Sequence, residues 1–201
     1  MDIRLETPAD YRTVEELTRH AFWDVYQPGC TEHLVLHQLR KSPAFIKDLS
    51  YVVVENQQII GHIAYSKMIF EGSLSNEVIC FGPLSVHPDY QNKGIGKQLI
   101  TYTLEKAQEL AYRAVLITGS PDYYHHFGFK PAKSFGLFLE GLPVEDDAPF
   151  FMAKELLSDY FSSHSGSYSF TSEFSVSPEA LALFDQSFPK RSKRAPKETD
   201  M

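Results

Sequence analysis

The stretch Gln91-Asn92-Lys93-Gly94-Ile95-Gly96 joins a predicted strand, residues 78–86, to the strongest helical pattern in the chain, residues 96–112. The first turn of a helix leaves backbone N–H groups unpaired, and the helix dipole adds partial positive charge there. Glycines at such a place let the backbone approach a ligand closely. The stretch is therefore predicted to cradle a phosphate or diphosphate group.

Two familiar phosphate-binding motifs do not fit this loop. A P-loop needs Gly-Lys followed by Ser or Thr, but here Gly96-Lys97 is followed by Gln98. A dinucleotide-binding fingerprint needs a third small residue at the position that Leu99 occupies. From the spacing alone, a plain glycine-rich turn between a strand and a helix remains an alternative.

A longer pattern around the loop carries more information. The run Val86-His87-Pro88-Asp89-Tyr90 followed by the loop resembles the Gln/Arg-x-x-Gly-x-Gly/Ala signature of the GNAT superfamily of N-acetyltransferases, with its usual Val-x-Pro-x-Tyr lead-in. Downstream, Tyr124-His125-His126-Phe127-Gly128-Phe129 resembles the family's Tyr-x-x-x-Gly-Phe segment. Gly61 lies where the family often has a glycine in its third strand. The resemblance, to the uncharacterised bacterial type of this family, covers roughly residues 3–156.

The remaining segments supply the elements of an α/β fold. Strands are predicted by β-rich runs and helices by 3.6-residue apolar spacing. The predicted strands are residues 3–5, 51–54, 59–65, 78–86, 114–117, 135–139 and 150–156, and the predicted helices begin at Thr7, His33, Gly96 and Pro121. The order strand, helix, strand over residues 78–117 indicates locally parallel strands. The Gly82-Pro83 pair is expected to form a bulge or a splay point, because Pro cannot donate to a strand ladder.

Three segments are predicted for the whole chain. Residues 1–156 form the GNAT domain that the resemblance implies: a mixed, mostly antiparallel sheet, flanked by helices, with a V-shaped opening between two parallel central strands. Residues 157–189 are expected to be a C-terminal extension packed on it, with a serine-rich loop at 162–169. Its aromatic residues either complete the core, cover the acceptor side or form a homodimer contact. Residues 190–201 are expected to be a basic, disordered tail, solvated or bound to an acidic partner.

Composition limits the possible function. The formal net charge is −7, and the five basic residues after position 189 leave residues 1–189 at about −10, a field that repels nucleic acid and attracts amines. The two cysteines, Cys30 and Cys80, are too few for a disulfide framework, and Cys30 is interpreted as a packing thiol. The chain shows neither a signal-peptide pattern nor a membrane-length apolar run, so a cytoplasmic location without membrane binding is expected. The eight histidines show no metal-type spacing, so no metal is expected.

The resemblance implies a site for acetyl-CoA. The backbone of Leu84, Ser85 and Val86 would pair with the pantetheine arm and the acetyl carbonyl. The N–H groups of Gln91, Asn92, Lys93, Gly94, Ile95 and Gly96 would hold the pyrophosphate. The side chains of Lys93 and Lys97 would add positive charge, and Ser120 would touch the pantetheine.

The resemblance also implies the chemistry. An amine attacks the thioester, and Tyr124 matches the family's general acid for the departing thiolate, because a phenol with a reference pKa near ~10 is protonated at neutral pH. Packing or cofactor binding alone is the other interpretation of Tyr124. The neighbouring Tyr123 is at most a wall of the cofactor site, and His125 and His126 are expected on the surface.

The general base is left open. Many relatives carry a glutamate six residues before the equivalent of Val86, where this chain has Cys80. A structural thiol is the favoured interpretation of Cys80. Glu77 and His62 are the other candidates, either of them acting through water, and water itself is the last.

The sequence therefore predicts an acetyl-CoA-dependent N-acetyltransferase acting on a primary amine of an unidentified small molecule or protein. Three alternatives remain: an acyl-CoA-binding sensor without catalysis, a transferase that uses another acyl-CoA such as propionyl- or succinyl-CoA, and an interaction module in which the basic tail is the working part.

Overall fold

The computed structural model describes residues 1–195, which form a nine-stranded sheet and five α-helices. The strands are β1 (Asp2–Leu5), β2 (Tyr51–Glu55), β3 (Gln58–Phe70), β4 (Ser73–Val86), β5 (Ala114–Thr118), β6 (Lys130–Pro131), β7 (Leu137–Leu139), β8 (Phe151–Glu155) and β9 (Gly166–Ser169). The helices are α1 (Tyr11–Phe22), α2 (Glu32–Leu39), α3 (Ile95–Glu109), α4 (Pro121–Tyr124) and α5 (Pro178–Asp185). Among these described residues, no helix is both long and apolar enough to cross a membrane.

The sheet has the order β1-β2-β3-β4-β5-β8-β6, and β9 joins it by pairing with both β3 and β7. The pairs β4–β5 and β7–β9 are parallel, and the other strand pairs are antiparallel. The parallel β4–β5 pair follows from α3, because a helical crossover returns the chain in the same direction. The predicted mixed, mostly antiparallel sheet is confirmed.

The two central strands separate part-way along their length. Only Val78–Cys80 of β4 and Ala114–Leu116 of β5 are paired, although β4 continues for six more residues. The separation begins just before Gly82, whose peptide bond to Pro83 is cis. Pro83 has no N–H to donate, so a regular ladder cannot continue through it. The V-shaped opening therefore lies where the Gly82-Pro83 pair predicts it.

Each face of the sheet has its own core. One apolar stripe of α3, which includes Leu99 and Ile100, packs with Ile63, Val115 and Met152 on one face. On the other face, α1 and α2 bury Val14, Leu17 and Leu36 against Val52 and Ala64. Burial of such a stripe supplies most of a helix's stability in a protein of this size.

The turn that leads into α1 begins at Thr7, where the sequence predicts a helix start. Thr7 donates to Asp10 from its N–H (2.8 Å) and from its hydroxyl (2.7 Å). Arg4 forms a bidentate ion pair with the same carboxylate at 2.8 and 2.9 Å. The first turn, Pro8–Asp10, is a 3₁₀ turn before the α-helix begins at Tyr11. The ion pair and these hydrogen bonds thereby link β1 to the turn that precedes α1.

The C-terminal residues contain structure that the sequence patterns did not predict. The predicted loop at 162–169 is wrong in its second half, because Gly166–Ser169 is strand β9, held by pairing with β3 and β7 and by the buried Tyr168. Helix α5 was also missed, although Ser177 caps it and Pro178 begins it. Residues 190–195 form neither helix nor strand, and the rest of the predicted tail lies outside the described residues. The three-segment division stays a prediction.

Candidate active site

The opening between β4 and β5 exposes one backbone edge of β4. Past Cys80, the strand has no partner in register on the β5 side, while its other edge pairs with β3, Leu84 facing Ile63 and Val86 facing Gly61. Backbone N–H and C=O groups on an open strand edge are ready to pair with an extended ligand. Alternate residues of β4 direct their backbone groups to opposite edges, and the His87 N–H donates to the Ile60 carbonyl of β3 at 2.8 Å. The backbone groups of Leu84 and Val86 therefore face the edge that the fold leaves available, whereas those of Ser85 face β3.

The loop at the mouth of this opening presents unpaired amides, but the predicted Gln91 N–H is not one of them, because it donates to the Pro88 carbonyl at 3.3 Å. The first hydrogen bond of α3 runs from the Gln98 N–H to the Gly94 carbonyl (3.0 Å), so the N–H groups of Ile95, Gly96 and Lys97 precede it and have no acceptor within the helix. Gly94 has φ +82°, a left-handed conformation that favours glycine, and a Cβ at this position would meet nothing within 4 Å. The loop thus combines free donors with open space, as an anion site requires.

Its side chains contribute less than its backbone. The Lys93 ammonium donates to the Asp89 carbonyl at 2.8 Å and lies 5.1 Å from the Tyr90 ring centroid. The Gln91 amide donates to the Val86 carbonyl at 3.2 Å, which ties the loop to the end of β4. Lys97 is exposed, as are Gln91, Asn92 and Lys93. We expect the main-chain amides to dominate anion binding here, because exposed flexible charges contribute little.

The three predicted β4 residues point to different sides of the sheet. Leu84 and Val86 pack against the core on the α3 side. The Ser85 side chain is fully buried and its hydroxyl donates to Thr18 Oγ1 of α1 at 2.9 Å. The Ser85 side chain is therefore not available to a ligand in the opening.

Tyr124 lies where the two strands separate. Its ring contacts Phe81, the first β4 residue past the parallel pairing, with centroids 5.9 Å apart, and also packs on Phe129 at 6.0 Å. Gly119, just after β5, makes room for this ring: a Cβ there would lie 2.9 Å from Tyr124 Cδ2 and would overlap Cε2. Burial, followed by the nearby Tyr123 and Tyr26 phenols, raises the pKa of Tyr124, so its hydroxyl stays protonated at neutral pH.

Tyr123 and Ser120 lie beside it on the β5 side of the opening. The Tyr123 hydroxyl reaches the start of α3 and lies 3.1 Å from the position that a Cβ on Gly96 would occupy. Ser120 is exposed and its carbonyl accepts the first hydrogen bond of α4, from the Tyr124 N–H at 3.1 Å. The start of α3 and the start of α4 therefore face each other across the opening.

Comparison with known proteins agrees with this geometry. The family model for the acetyltransferase (GNAT) domain matches residues 47–131. The uncharacterized N-acetyltransferase YhbS of Escherichia coli K12 is 31% identical over 133 residues, which cover 66% of this chain and 75% of that protein. The chain belongs to the GNAT acetyltransferase family. It is therefore an acyltransferase, as the loop and Tyr124 motifs predict.

Two solved GNAT structures extend the similarity over most of the chain. The E. coli YhbS structure in complex with CoA has a TM-score of 0.77 and 26% identity, and covers 87% of this chain and 92% of that one. A GNAT family acetyltransferase from Brucella melitensis in complex with acetyl-CoA has a TM-score of 0.69 and 27% identity, with 86% and 97% covered.

Cys80, where many relatives carry a glutamate, has no access to solvent in this structure. It is fully buried, and its sulfur lies 3.2 Å from the Ser66 hydroxyl. Burial raises the pKa of the thiol to about 12, so the group is protonated at any physiological pH. A protonated thiol without solvent access cannot collect a proton from an amine, which favours the structural interpretation of Cys80.

The other two base candidates are engaged elsewhere. His62 is fully buried on the α1 side of β3, with Nε2 3.2 Å from the Ser50 hydroxyl and 3.4 Å from the Glu6 carboxylate. Glu77 lies near the opposite end of β4, roughly 20 Å along the strand from Leu84. Its carboxylate faces the Tyr160 hydroxyl at 3.3 Å and Arg113 Nε at 3.6 Å. The structure brings neither side chain to the opening.

The remaining sequence candidates lie outside the opening. His125 and His126 are exposed on the turn after α4, and Cys30 is buried between α1 and α2. Within residues 1–195, no group of three or more His, Cys, Asp or Glu side chains is arranged to hold a metal ion. The sequence patterns did not predict the contacts of Phe81 and Gly119 with Tyr124. For Gly119, the one available signal was the Gly119-Ser120-Pro121 turn directly before the tyrosines.

Proposed function

We propose that the protein transfers an acetyl group from acetyl-CoA to a primary amine, by direct attack of the amine in a ternary complex. The observation that carries this proposal is the opening itself, which is bordered by a free strand edge, three helix-terminal amides and the partly buried Tyr124. The two relatives whose structures contain CoA or acetyl-CoA support the choice of donor.

In this proposal, the protein holds acetyl-CoA through its charged pyrophosphate and through its extended pantetheine arm. Of the predicted amides, those of residues 92–96 bind the pyrophosphate at the dipole-positive end of α3, together with the unpaired amide of Lys97. The free edge of β4 from Leu84 to Val86 pairs with the pantetheine amides, as an added strand would. In this arrangement the thioester reaches the region of Phe81 and Tyr124, where the strands separate.

Tyr124 then supplies the proton that the leaving group needs. As the carbon–sulfur bond breaks, the phenol donates its proton to the CoA thiolate, whose conjugate thiol has a pKa near ~8.5, close to that of a free cysteine. The developing oxyanion on the acetyl carbonyl is stabilised by the Leu84 backbone N–H. Because burial raises the pKa of Tyr124, the acid form is present throughout the working pH range.

The amine loses its proton to water in this proposal. Cys80, His62 and Glu77 are each occupied or remote, so no described side chain in the opening matches the glutamate of relatives. The attacking amine must be neutral, since an ammonium has no lone pair. A small polyamine-like molecule, an amino acid, an antibiotic or a protein amine all fit this chemistry, and the acidic body favours a cationic acceptor.

The test is a thiol-release assay with acetyl-CoA against a panel of primary amines, together with calorimetric binding of CoA. We expect CoA binding, turnover with at least one amine, a large loss of kcat in Tyr124→Phe with CoA affinity retained, and loss of CoA binding in Gly94→Glu. Propionyl- and succinyl-CoA are assayed alongside to define the donor.

The replacement of the usual glutamate by Cys80 favours one second candidate, an acyl-CoA sensor without catalysis. CoA binding without turnover of any amine, with any effect of Tyr124→Phe confined to the CoA affinity, would support that candidate. The absence of measurable CoA affinity would contradict both proposals.

A further inference from the structure

The loop that connects α1 and α2, residues 23–31, begins beside the open half of β4. Thr18 of α1 accepts the hydrogen bond from Ser85, and His20 packs edge-on against His87 with ring centroids 5.2 Å apart. Helix α1 therefore runs along the end of the cofactor strand and ends at Phe22. The α1–α2 loop that follows lies next to the opening.

The loop is closed on itself and presents an exposed tip. The Asp24 N–H donates to the Gly29 carbonyl at 3.0 Å, and the Gly29 N–H donates to the Asp24 carboxylate at 2.7 Å. Between them, Tyr26 is 64% exposed, and its ring packs on Phe22 at the end of α1 with centroids 6.2 Å apart. Tyr26 thus forms the exposed tip of the loop.

The C-terminal segment 185–193 holds the first end of this loop. Arg19 pairs with the Asp185 carboxylate at 2.9 Å and donates to the Pro189 carbonyl at 3.2 Å. Trp23 Nε1 donates to the Ser192 carbonyl at 3.1 Å. The Arg191 guanidinium lies 5.2 Å from the Trp23 ring centroid, within cation–π range.

The same segment holds the second end of the loop. The Lys193 side chain lies against Gly29, with Cε 3.0 Å from where a Cβ would be. His33 Nε2 lies 3.0 Å from Asp185, and His33 Nδ1 lies 3.5 Å from the Cys30 sulfur. This order of groups resembles a nucleophilic triad, but Cys30 is 3% exposed and burial raises its pKa to about 12. The cluster therefore anchors the loop rather than activating a thiol.

We propose that residues 185–193 form a clasp that fixes the α1–α2 loop beside the open half of β4, and that Trp23 and Arg191 thereby position the acceptor amine. This inference rests on the proposed function. Both ends of the α1–α2 loop contact the segment 185–193, so loss of these contacts should make the tip that carries Tyr26 more mobile. The pyrophosphate loop and the edge of β4 are held by other contacts, so binding of the donor does not depend on the clasp.

The test compares full-length variants that differ in one contact. Trp23→Phe keeps an aromatic ring but removes the N–H donor, and Arg191→Ala removes the stacked guanidinium. Lys190→Ala is the matched control, because it removes the same charge from an exposed neighbouring position. Hydrogen exchange of peptides covering residues 23–31 is measured for each variant. We expect exchange about fivefold faster in Trp23→Phe and about threefold faster in Arg191→Ala, with Lys190→Ala unchanged.

Steady-state kinetics then distinguish a role in positioning the acceptor amine from a general loss of protein stability. With putrescine as probe amine, or the best amine of the panel, Trp23→Phe and Arg191→Ala should raise the KM for the amine about three- to fivefold while the Kd for CoA and kcat stay within about twofold. Unchanged exchange of residues 23–31 overturns the clasp, whatever the kinetics. Faster exchange with an unchanged amine KM overturns the positioning role. If no amine is turned over, exchange alone decides the clasp, and CoA binding decides the proposed function separately.

Discussion

Gly119→Ala tests whether the position of the Tyr124 ring matters for catalysis. The new methyl carbon would lie 2.9 Å from Cδ2 and closer to Cε2, whereas carbon atoms pack at about 3.5–4 Å. The ring must therefore retreat by roughly 1 Å. Misplacement of a reacting group by this distance can cost about 100-fold, so we expect kcat to fall by about that factor with the CoA affinity kept.

Comparison with Tyr124→Phe makes the test specific. Loss of the proton donor should lower kcat about 100-fold or more. Once the hydroxyl is absent, displacement of the ring has little further effect, so the double variant Gly119→Ala/Tyr124→Phe should match Tyr124→Phe within about twofold. The measurement is steady-state thiol release, with thermal unfolding to check the fold. A Gly119→Ala loss below about fivefold, or losses that multiply in the double variant, would refute the reasoning.

Three further predictions concern stability and proton transfer. Gly61→Ala places a methyl carbon 2.8 Å from Ile95 Cγ2, so urea denaturation should show a free energy of unfolding lower by about 1–3 kcal/mol. In the double variant with Ile95→Ala, the loss should be smaller than the sum of the two single losses, because the clash is then absent. Burial lowers the pKa of His33 to about 4 from 6.5, so between these values the unfolded state binds more protons. Stability should thus fall by about 3 kcal/mol as the pH drops from 6.5 to 4, and His33→Gln should flatten that curve; an unchanged slope would contradict it. Cys80→Ala should keep kcat within about twofold, and log kcat/KM should rise with pH toward the amine's own pKa; a plateau near pH 7 would reveal a protein base instead.

The phosphate loop was predictable because its signals are local. Gly94 and Gly96 stand between a β-rich run and a 3.6-residue apolar pattern, and each of these needs only a few neighbouring residues to be recognised. The separation of β4 from β5 was also predictable, since Pro83 cannot donate to a ladder whatever surrounds it.

Other parts of the site depend on contacts between distant residues. Only Tyr168 in the segment Gly166–Ser169 favours a strand, and the segment becomes one because β3 and β7 offer free edges to it. The contact of Gly119 with the Tyr124 ring depends on the turn into α4, and the seal over Cys80 depends on Ser66 from another strand. The sequence could propose Cys80, Glu77 and His62 as bases but could not show their burial or their partners.

Strand β9 makes the C-terminal residues a structural component of the central sheet. It pairs with β3 on one side and β7 on the other, so the chain from Gly166 onward cannot leave without uncovering two strand edges. Exposed edges of this kind recruit other chains and promote aggregation. A protein shortened to residues 1–156 should therefore self-associate, so its activity would not report on how the C-terminal residues affect the choice of acceptor. Single substitutions keep β9 in place and can assign a role to this region.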